Sequence, residues 1–385
     1  MTAAAYAEPH GPAADVRLRR YTDDDVDASF LMCLDPEVQR WTTVPVPYRR
    51  EDAEQFVHGR VREGWADGSD YTLVVDAEDD EGRRRFAGNL SLRPDGADGA
   101  EIGFALAPWA RGRGVMSRAV RLALAWAFLP DANGGLGLDV VRWSAHVGNW
   151  GSRRVAWACG FRVEGTLRGL NRQRGRSVDG WAASICRGEP TTPVTPWLEA
   201  VTLHGDGAHL RPWRETDVVR VAEACSDEDS RRWLPQLPVP YTLADAQWYL
   251  RTREEQHAGG EGVYWCVADD EDQALGAVSV MRLDASLTNA EIGYWAHPDA
   301  RGRGVMTCAV RLVARHVLLP PDVGGLGAPR VQPARGGRQR RQQRGGGAGR
   351  VPARGPAARG RACCATAPAP TSWSGTCCRT VTPAP

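Results

Sequence analysis

Two kinds of hydrophobic pattern alternate along the first 190 residues of the chain. Short apolar runs or alternating segments predict β-strands at Val16–Arg20, Tyr71–Val75, Phe86–Leu92, Glu101–Leu106 and Val140–Val147. Apolar residues recur at helical spacing from Gly114 to Phe128, namely at Val115, Ala119, Leu122 and Trp126. The pattern therefore predicts a mixed α/β domain.

Polar residues mark where further helices begin. The acidic cluster Asp23–Asp25 can cap a helix, and Arg50-Glu51-Asp52 opens another that runs toward Val61. A further helix is predicted over Trp150–Ala158. These helices separate the predicted strands and would cover the faces of their sheet.

The chain contains a long internal repeat. Ala100–Met116 recurs as Ala290–Met306, and Gly134–Gly137 recurs as Gly324–Gly327, both at an offset of 190 residues. Solenoid repeats are about 20–50 residues long, so this period indicates a duplicated domain. We expect a first domain at 1–190, a proline-rich linker at 191–197, an incomplete second domain at 198–327 and a tail at 328–385.

Composition supports two globular domains. The 385 residues are 42% hydrophobic and 25% charged, which excludes a wholly disordered chain. No 18-residue run is uninterruptedly apolar, and the N-terminal segment lacks the pattern of a secretory signal, so we expect no membrane span and a cytoplasmic location. The ten cysteines show no metal-ligand spacing, which favours reduced thiols and no metal site.

The net charge of +1 conceals an uneven distribution. All 48 basic residues are arginine, and residues 328–385 contain 11 of them with no acid. The first 327 residues therefore have a net charge of −10. The tail differs in kind from the rest of the chain.

A glycine-rich turn follows the strand that ends before Pro108. Arg111-Gly-Arg-Gly114 leads directly into a helix, where glycines allow close approach and free N–H groups attract an anion such as a pyrophosphate. An ordinary turn with two solvated arginines is the alternative. The spacing matches neither the P-loop nor the dinucleotide-binding motif.

These motifs resemble the GNAT superfamily of acetyl-CoA-dependent N-acetyltransferases. The resemblance rests on Arg111-x-x-Gly114, Asn149-x-x-Ser152 and Gly160-Phe161. The Gly114-x-Met116 pattern is similar to the pattern found in the ribosomal-protein N-terminal (Rim-type) branch. The resemblance implies two tandem domains, each with a mixed, mostly antiparallel sheet that has a splayed centre and flanking helices.

The resemblance also implies how acetyl-CoA is held. The turn would bind the pyrophosphate, the strand would pair with the pantetheine arm, and Asn149 would contact CoA. The implied binding residues are Phe104, Ala105, Leu106, Arg111, Gly112, Arg113, Gly114, Val115, Met116 and Asn149. Their counterparts in the second copy are Arg301, Gly302, Arg303, Gly304, Val305 and Met306.

Two side chains are candidates for the chemistry of direct acetyl transfer. An amine attacks only when it is unprotonated, so a base is needed, and we expect Glu101 to serve, directly or through water. The resemblance places Ser152 near the CoA thiolate, to which it could return a proton. Alternatively, Glu101 is a surface carboxylate, Ser152 an exposed serine of the first helical turn, and Asn149 a helix cap.

Other candidates are ambiguous. Some relatives have a glutamate where Leu170-Asn171-Arg172 stands here. His146 alternates with apolar residues, which favours a packing role. Trp41, Trp109 and Trp150 could line a substrate groove or belong to the core.

The second copy loses its resemblance after Gly327, which indicates a change of reading frame. A one-base shift of permitted codons for Gly337–Arg344 restores Asn at 339 and Ser at 342, the positions that the repeat requires. We therefore expect a disordered tail that adds nothing to the enzyme. Resequencing the DNA tests this, and a native frame would favour an RNA-binding tail instead.

The leading hypothesis is a transferase that acetylates a primary amine, most simply a protein N-terminus. Its partners would be acetyl-CoA and the amine acceptor, without a membrane or nucleic acid, and the two copies could pack together. Alternatives are a small-molecule or aminoglycoside acceptor, a non-catalytic acyl-CoA-binding protein, and an RNA-associated protein.

Overall fold

The computed structural model describes residues 15–96, 98–205, 207–234, 236–281 and 290–333. They form two compact units, divided between Thr195 and Pro196. The predictions for the tail, that it is disordered and that a shifted frame restores a motif at 339–342, concern positions outside the described residues.

The described residues of the first unit form a seven-stranded sheet in the order β1-β2-β3-β4-β5-β7-β6. Every predicted strand is present. The strands are β1 (Val16–Arg19), β2 (Tyr71–Glu78), β3 (Arg84–Pro94), β4 (Gly99–Leu106), β5 (Val140–His146), β6 (Arg162–Gln173) and β7 (Arg176–Cys186). All neighbouring pairs are antiparallel except β4 and β5.

Helices cover this sheet. They are α1 (Val26–Cys33), α2 (Pro36–Trp41), α3 (Arg50–Gln55), α4 (Arg62–Asp67), α5 (Val115–Phe128) and α6 (Trp150–Ala158). The helix predicted from Arg50 to Val61 continues further, because a π-helical turn over Phe56–Val61 joins α3 to α4. It ends at Gly68, whose φ of +77° favours glycine.

The core of the first unit lies between the sheet and α5. The predicted helical positions Val115, Ala119, Leu122 and Trp126 are all buried there. The Asp25 carboxylate accepts the Thr22 backbone N–H at 2.8 Å and so caps the 3₁₀ turn Asp23–Asp25 that leads into α1, whereas α1 itself begins without a side-chain cap. The burial of these four side chains of α5 fixes the position of its N-terminus beside the end of β4.

The sheet opens in its centre. β4 and β5 pair in parallel only from Gly99–Val140 to Ile102–Trp143. Beyond that point both strands continue without pairing to each other, β4 to Leu106 and β5 to His146. The predicted splayed centre is therefore present, and it leaves a gap between the ends of these two strands.

The second unit repeats the arrangement. Its described strands are β8 (Leu203–Gly205), β9 (Ala208–Arg211), β10 (Gly262–Ala268), β11 (Ala274–Met281), β12 (Ala290–Ala296) and β13 (Val331–Pro333), and its helices are α7 (Val218–Ser226), α8 (Glu228–Trp233), α9 (Leu243–Gly259) and α10 (Val305–Leu318). β12 and β13 are parallel, and Ala290 pairs with Val331 just as Ala100 pairs with Val141. The 190-residue repeat therefore extends to the pairing register.

Candidate active site

A cavity of about 1430 Å³ opens where β4 and β5 separate. Its walls come from β4, β5, the starts of α5 and α6, α2 with the loop that follows it, and β6. The predicted residues that line it are Glu101, Phe104, Ala105, Leu106, Arg111, Gly112, Met116, Asn149 and Ser152. Residues from three separate sequence motifs thus meet in one cavity.

The turn before α5 has the geometry that the glycines predict. Gly112 and Gly114 have φ values of +74° and +70°, which favour glycine, and α5 begins at Val115. The first N–H groups of a helix have no acceptor within the helix. Together with the helix dipole, they would attract an anion at the edge of the cavity.

Arg111 has a structural role in this turn. Its guanidinium donates to Asp35 Oδ1 at 2.5 Å and to the Leu106 carbonyl at 3.0 Å. Burial would raise the pKa of Asp35, but the Arg111 guanidinium and the backbone N–H of Val38 hold it below its ordinary value. Arg111 therefore ties the turn to the end of β4 and to the start of α2.

Three predicted turn residues lie outside the lining of the cavity. Arg113 pairs with Asp80 at 2.9 Å, and its guanidinium lies 5.8 Å from the Trp109 ring centroid. Val115 is buried in the core, and Gly114 caps α5. Of the turn, Gly112 is the glycine that faces the cavity.

The backbone of β4 has polar groups directed into the gap. Ala107 N donates to Ala87 O at 2.8 Å, so the odd-numbered residues of β4 direct their backbone groups toward β3. By alternation, those of Phe104 and Leu106 point toward the gap, where an extended ligand could bind them. The Leu106 carbonyl already accepts from Arg111.

Glu101 lies at the point where the strands diverge. Its side chain is 39% exposed, and its Oε1 accepts the Ser144 hydroxyl at 2.7 Å. Arg93 approaches its other oxygen at 3.4 Å. The carboxylate therefore faces the cavity while Ser144 fixes its orientation.

A third polar side chain adjoins this pair. Asn171 Oδ1 lies 3.3 Å from Ser144 Oγ, and Asn171 Nδ2 is buried without a hydrogen-bond partner among the described residues. A half-turn of the amide would let Nδ2 donate to Ser144 Oγ. Asn171, Ser144 and Glu101 would then form one chain of hydrogen bonds across β6, β5 and β4.

Ser152 is held by two hydrogen bonds at the start of α6. Its backbone N–H donates to Asn149 Oδ1 at 3.2 Å, so Asn149 does cap the helix. The Trp143 indole N–H donates to Ser152 Oγ at 3.1 Å. Because Oγ accepts from Trp143, its own proton is free to point into the cavity.

The histidine and the tryptophans that could serve either the site or the core differ in their positions. His146 and Trp41 line the cavity, with ring centroids 6.4 Å apart. Burial lowers the pKa of His146 below its ordinary 6.5, so its imidazole is neutral at pH 7. Trp150 also lines the cavity, whereas Trp109 packs against the core.

Sequence reasoning missed Trp143, Ser144 and the contact of Asn171 with Ser144. Trp143 and Ser144 are adjacent in β5, so their side chains point to opposite faces of the sheet. A tryptophan beside a serine in this strand is the sequence signal that could have indicated both residues. A serine between Trp143 and Ala145 in this strand marks a place where a polar partner is needed. Nothing in the local sequence, however, indicates which partner that is.

The second unit preserves the glycine turn. Gly302 and Gly304 have φ values of +73° and +76°, and α10 begins at Val305. Arg301 pairs with Asp227 at 2.5 Å, as Arg111 does with Asp35, and both aspartates cap a helix. The predicted residues from Arg301 to Met306 thus occupy the same place in the second copy.

Comparison with protein families identifies both copies. The family model for the acetyltransferase (GNAT) domain matches residues 15–162 and 208–332. The chain belongs to the GNAT acetyltransferase family. The GNAT protein is therefore an acetyltransferase, and acetyl-CoA is its co-substrate.

Solved structures similar to this GNAT protein include three acetyltransferases. RimL, the ribosomal L7/L12 alpha-N-protein acetyltransferase with coenzyme A, has a TM-score of 0.39 and 18% identity, covering 45% of this chain and 95% of that one. Mycobacterium smegmatis RimJ with CoA-disulfide has a TM-score of 0.39 and 21% identity over 46% and 85%. Spermidine N-acetyltransferase from Vibrio cholerae, with CoA and spermine, has a TM-score of 0.38 and 19% identity, covering 45% of this chain and 96% of that one. No curated protein sequence matches the chain.

Membrane-spanning helices and metal-binding clusters are both absent from the described residues. No helix among them has the length and apolar character needed to cross a membrane. They also contain no cluster of three or more His, Cys, Asp or Glu side chains suited to a metal ion.

Proposed function

We propose that the first unit transfers the acetyl group of acetyl-CoA to the N-terminal amine of a protein. The observation that carries this proposal is the single cavity that joins an anion-binding helix N-terminus, the carboxylate of Glu101 and the hydroxyl of Ser152. The Gly114-x-Met116 motif, which resembles the Rim-type branch, supports a protein acceptor.

Glu101 acts as the general base in this proposal. Its carboxylate accepts a proton from the amine, directly or through water, while the amine nitrogen bonds to the thioester carbonyl carbon. The carbon–sulfur bond then breaks, and the thiolate leaves. Ser144 keeps the carboxylate oriented toward the gap during this step, since it donates to Oε1.

Ser152 acts as the general acid. Its hydroxyl proton passes to the departing thiolate, Glu101 releases the amine proton to solvent, and Ser152 regains a proton from solvent, so that both side chains return to their starting states. Trp143 is a positioning residue, because its indole N–H occupies a lone pair of Ser152 Oγ and leaves the hydroxyl proton for the cavity.

An acetyl-transfer assay with the full chain tests the proposal. We expect acetylation of a peptide N-terminus, detected as a mass increase of one acetyl group together with release of free CoA. The same peptide with a blocked N-terminus is the control and should remain unmodified. Acetylation of lysine side chains in that control, or of neither peptide, would contradict the proposed acceptor.

The Trp143→Phe substitution tests the positioning of Ser152. We expect kcat to fall about 10-fold, with an unchanged KM for acetyl-CoA, because a lost hydrogen bond of this type is worth about 1–1.5 kcal/mol. Ser152→Ala should cost at least as much, and the double variant little more. If the kcat losses of the two single variants add in the double variant, Trp143 acts only through packing. Thermal unfolding of each variant measures the packing contribution separately.

We also propose that the first unit is sufficient for activity. All residues that line the cavity lie between Met32 and Arg172, within the unit that ends at Thr195. A fragment of residues 1–195 should therefore keep kcat/KM within about threefold of the full chain, measured with the same peptide. A folded but inactive fragment would show that the second unit contributes to catalysis.

A further inference from the structure

An arginine cluster lies on the β6–β7 hairpin of the first unit. Residues 162–179 contain five arginines and two acids, whereas the first 327 residues have a net charge of −10. Four of the arginines are exposed close to the hairpin turn, and we call them the arginine cluster: Arg168, Arg172, Arg174 and Arg176.

Among the described residues, the arginine cluster has no acidic side chain paired with it. Elsewhere in this unit arginines face carboxylates, as in Arg83–Asp79 at 3.1 Å and Arg84–Glu78 at 3.0 Å. In the part of the chain that the structure describes, no carboxylate lies within 4.0 Å of a guanidinium of the cluster. The hairpin acids bind other groups: Asp179 accepts Gly169 N–H, and Glu164 accepts Ser184 O–H.

The hairpin forms part of the cavity rim. Arg172 lines the cavity, and the neighbouring Gln173 donates to the Arg40 carbonyl at the end of α2. Arg174 donates to the Gln39 carbonyl at 2.6 Å. The hairpin turn is thereby fastened to α2, beside Trp41 at the cavity wall.

Most acidic side chains of the cavity face an arginine. Glu37 lies 3.6 Å from Arg40, Asp70 lies 3.5 Å from Arg60, and Glu101 lies 3.4 Å from Arg93. Asp52, which accepts a backbone N–H at 2.7 Å, and Glu63, which is exposed on α4, keep their negative charge. Among the described residues, the excess of positive charge lies at the rim, on the arginine cluster.

We infer that the arginine cluster receives an acidic polypeptide, whose Asp and Glu residues follow the N-terminal amine to be acetylated. This inference rests on the proposed function and specifies its acceptor. A polyamine or aminoglycoside carries several positive charges, which the cluster repels. An RNA would suit the charge, but its backbone offers no aliphatic primary amine to the cavity.

Peptide kinetics test the inference. Two synthetic peptides share their length and first three residues; one continues with aspartate and glutamate, the other with lysine and glutamine. The wild-type chain should acetylate the acidic peptide with a kcat/KM about 10-fold higher at low salt. In about 0.5 M NaCl the ratio should fall toward one, because salt screens surface charges.

Paired variants locate the effect. In the double variant Arg168→Gln, Arg176→Gln we expect KM for the acidic peptide to rise about fivefold at unchanged kcat, with no rise for the lysine peptide. The matched control, Arg83→Gln with Arg84→Gln, removes two charges from the β2–β3 hairpin and should change neither KM.

Each other outcome overturns the inference. Equal acetylation of both peptides leaves the proposed function standing and refutes the acidic acceptor alone. If neither peptide is acetylated while spermidine is, the proposed acceptor and this inference both fail. A fluorescent RNA oligonucleotide that binds the wild type but not the Arg168/Arg176 variant, with unchanged peptide kinetics, assigns the cluster to nucleic acid instead.

Discussion

Replacing Glu101 with glutamine should lower kcat for peptide acetylation by about 10²–10⁴-fold, the usual contribution of a general base. KM for acetyl-CoA should change much less, because the glycine turn, where we expect the pyrophosphate, is separate from β4 at Glu101. The substitution preserves shape, and the Ser144 hydroxyl can still donate to the amide oxygen. Steady-state kinetics with both substrates measure the two effects.

A second carboxylate provides the control. Glu63 also lines the cavity but lies on α4, away from Ser144. Glu63→Gln should therefore leave kcat within about threefold of the wild type, as surface substitutions commonly do. An equal loss in both variants would indicate that kcat follows the charge of the cavity rather than a proton transfer.

His146 is the competing base. Because burial lowers its pKa, the imidazole is neutral at pH 7 and able to accept a proton. If His146→Gln abolished turnover while Glu101→Gln retained it, the base would be His146. Such activity would persist with falling pH until below the ordinary histidine pKa of 6.5, where the imidazole becomes protonated.

The strand and helix positions could be predicted because local periodicity determines them. The apolar spacing of Val115, Ala119 and Leu122 specifies which face of α5 is buried, and the structure buries that face. The position of Asn149 between a strand and a helix allows a capping role, and it caps α6; its contact with CoA stays a prediction. The roles proposed for Glu101 and Ser152 remain predictions.

The side-chain network around Glu101 could not be predicted in the same way. Ser144 is 43 residues from Glu101 in the sequence, and Asn171 is 27 residues beyond Ser144. Their contact depends on the order β4-β5-β7-β6 and on an irregularity in the pairing of β6 with β7 between Leu167 and Asn171. Such long-range register is not encoded in any local pattern.

The Arg111–Asp35 pair is a second contact between residues far apart in sequence that no local pattern predicts. The glycine motif suggested that Arg111 binds the phosphate directly, but the structure places its guanidinium on a carboxylate 76 residues away in sequence. The repetition of this pair in the second unit, as Arg301–Asp227, indicates that the arginine shapes the turn. We therefore expect an anion to be bound mainly by the backbone N–H groups and at the glycine that faces the cavity.

That glycine is the target of the second large effect. Gly112 lines the cavity, and a Cβ added to it would meet nothing within 4 Å. A Cβ on Gly114 would instead lie 2.9 Å from Arg118 Nη1, which could neutralise an introduced carboxylate. Position 112 is therefore the cleaner place to introduce a negative charge where the pyrophosphate is expected.

Gly112→Asp should weaken acetyl-CoA binding by about 2 kcal/mol or more, roughly 30-fold in Kd, through charge repulsion at the helix N-terminus. Gly188→Asp is the matched control, because Gly188 also has a positive φ (+88° against +74° for Gly112) and open space around it, and it follows β7, outside the lining of the cavity. Both variants should lose a similar amount of stability, about 1 kcal/mol, from the strained backbone. Calorimetric titration should then separate them, since only the Gly112 variant should lose affinity, and equal affinities would exclude the turn as the CoA site.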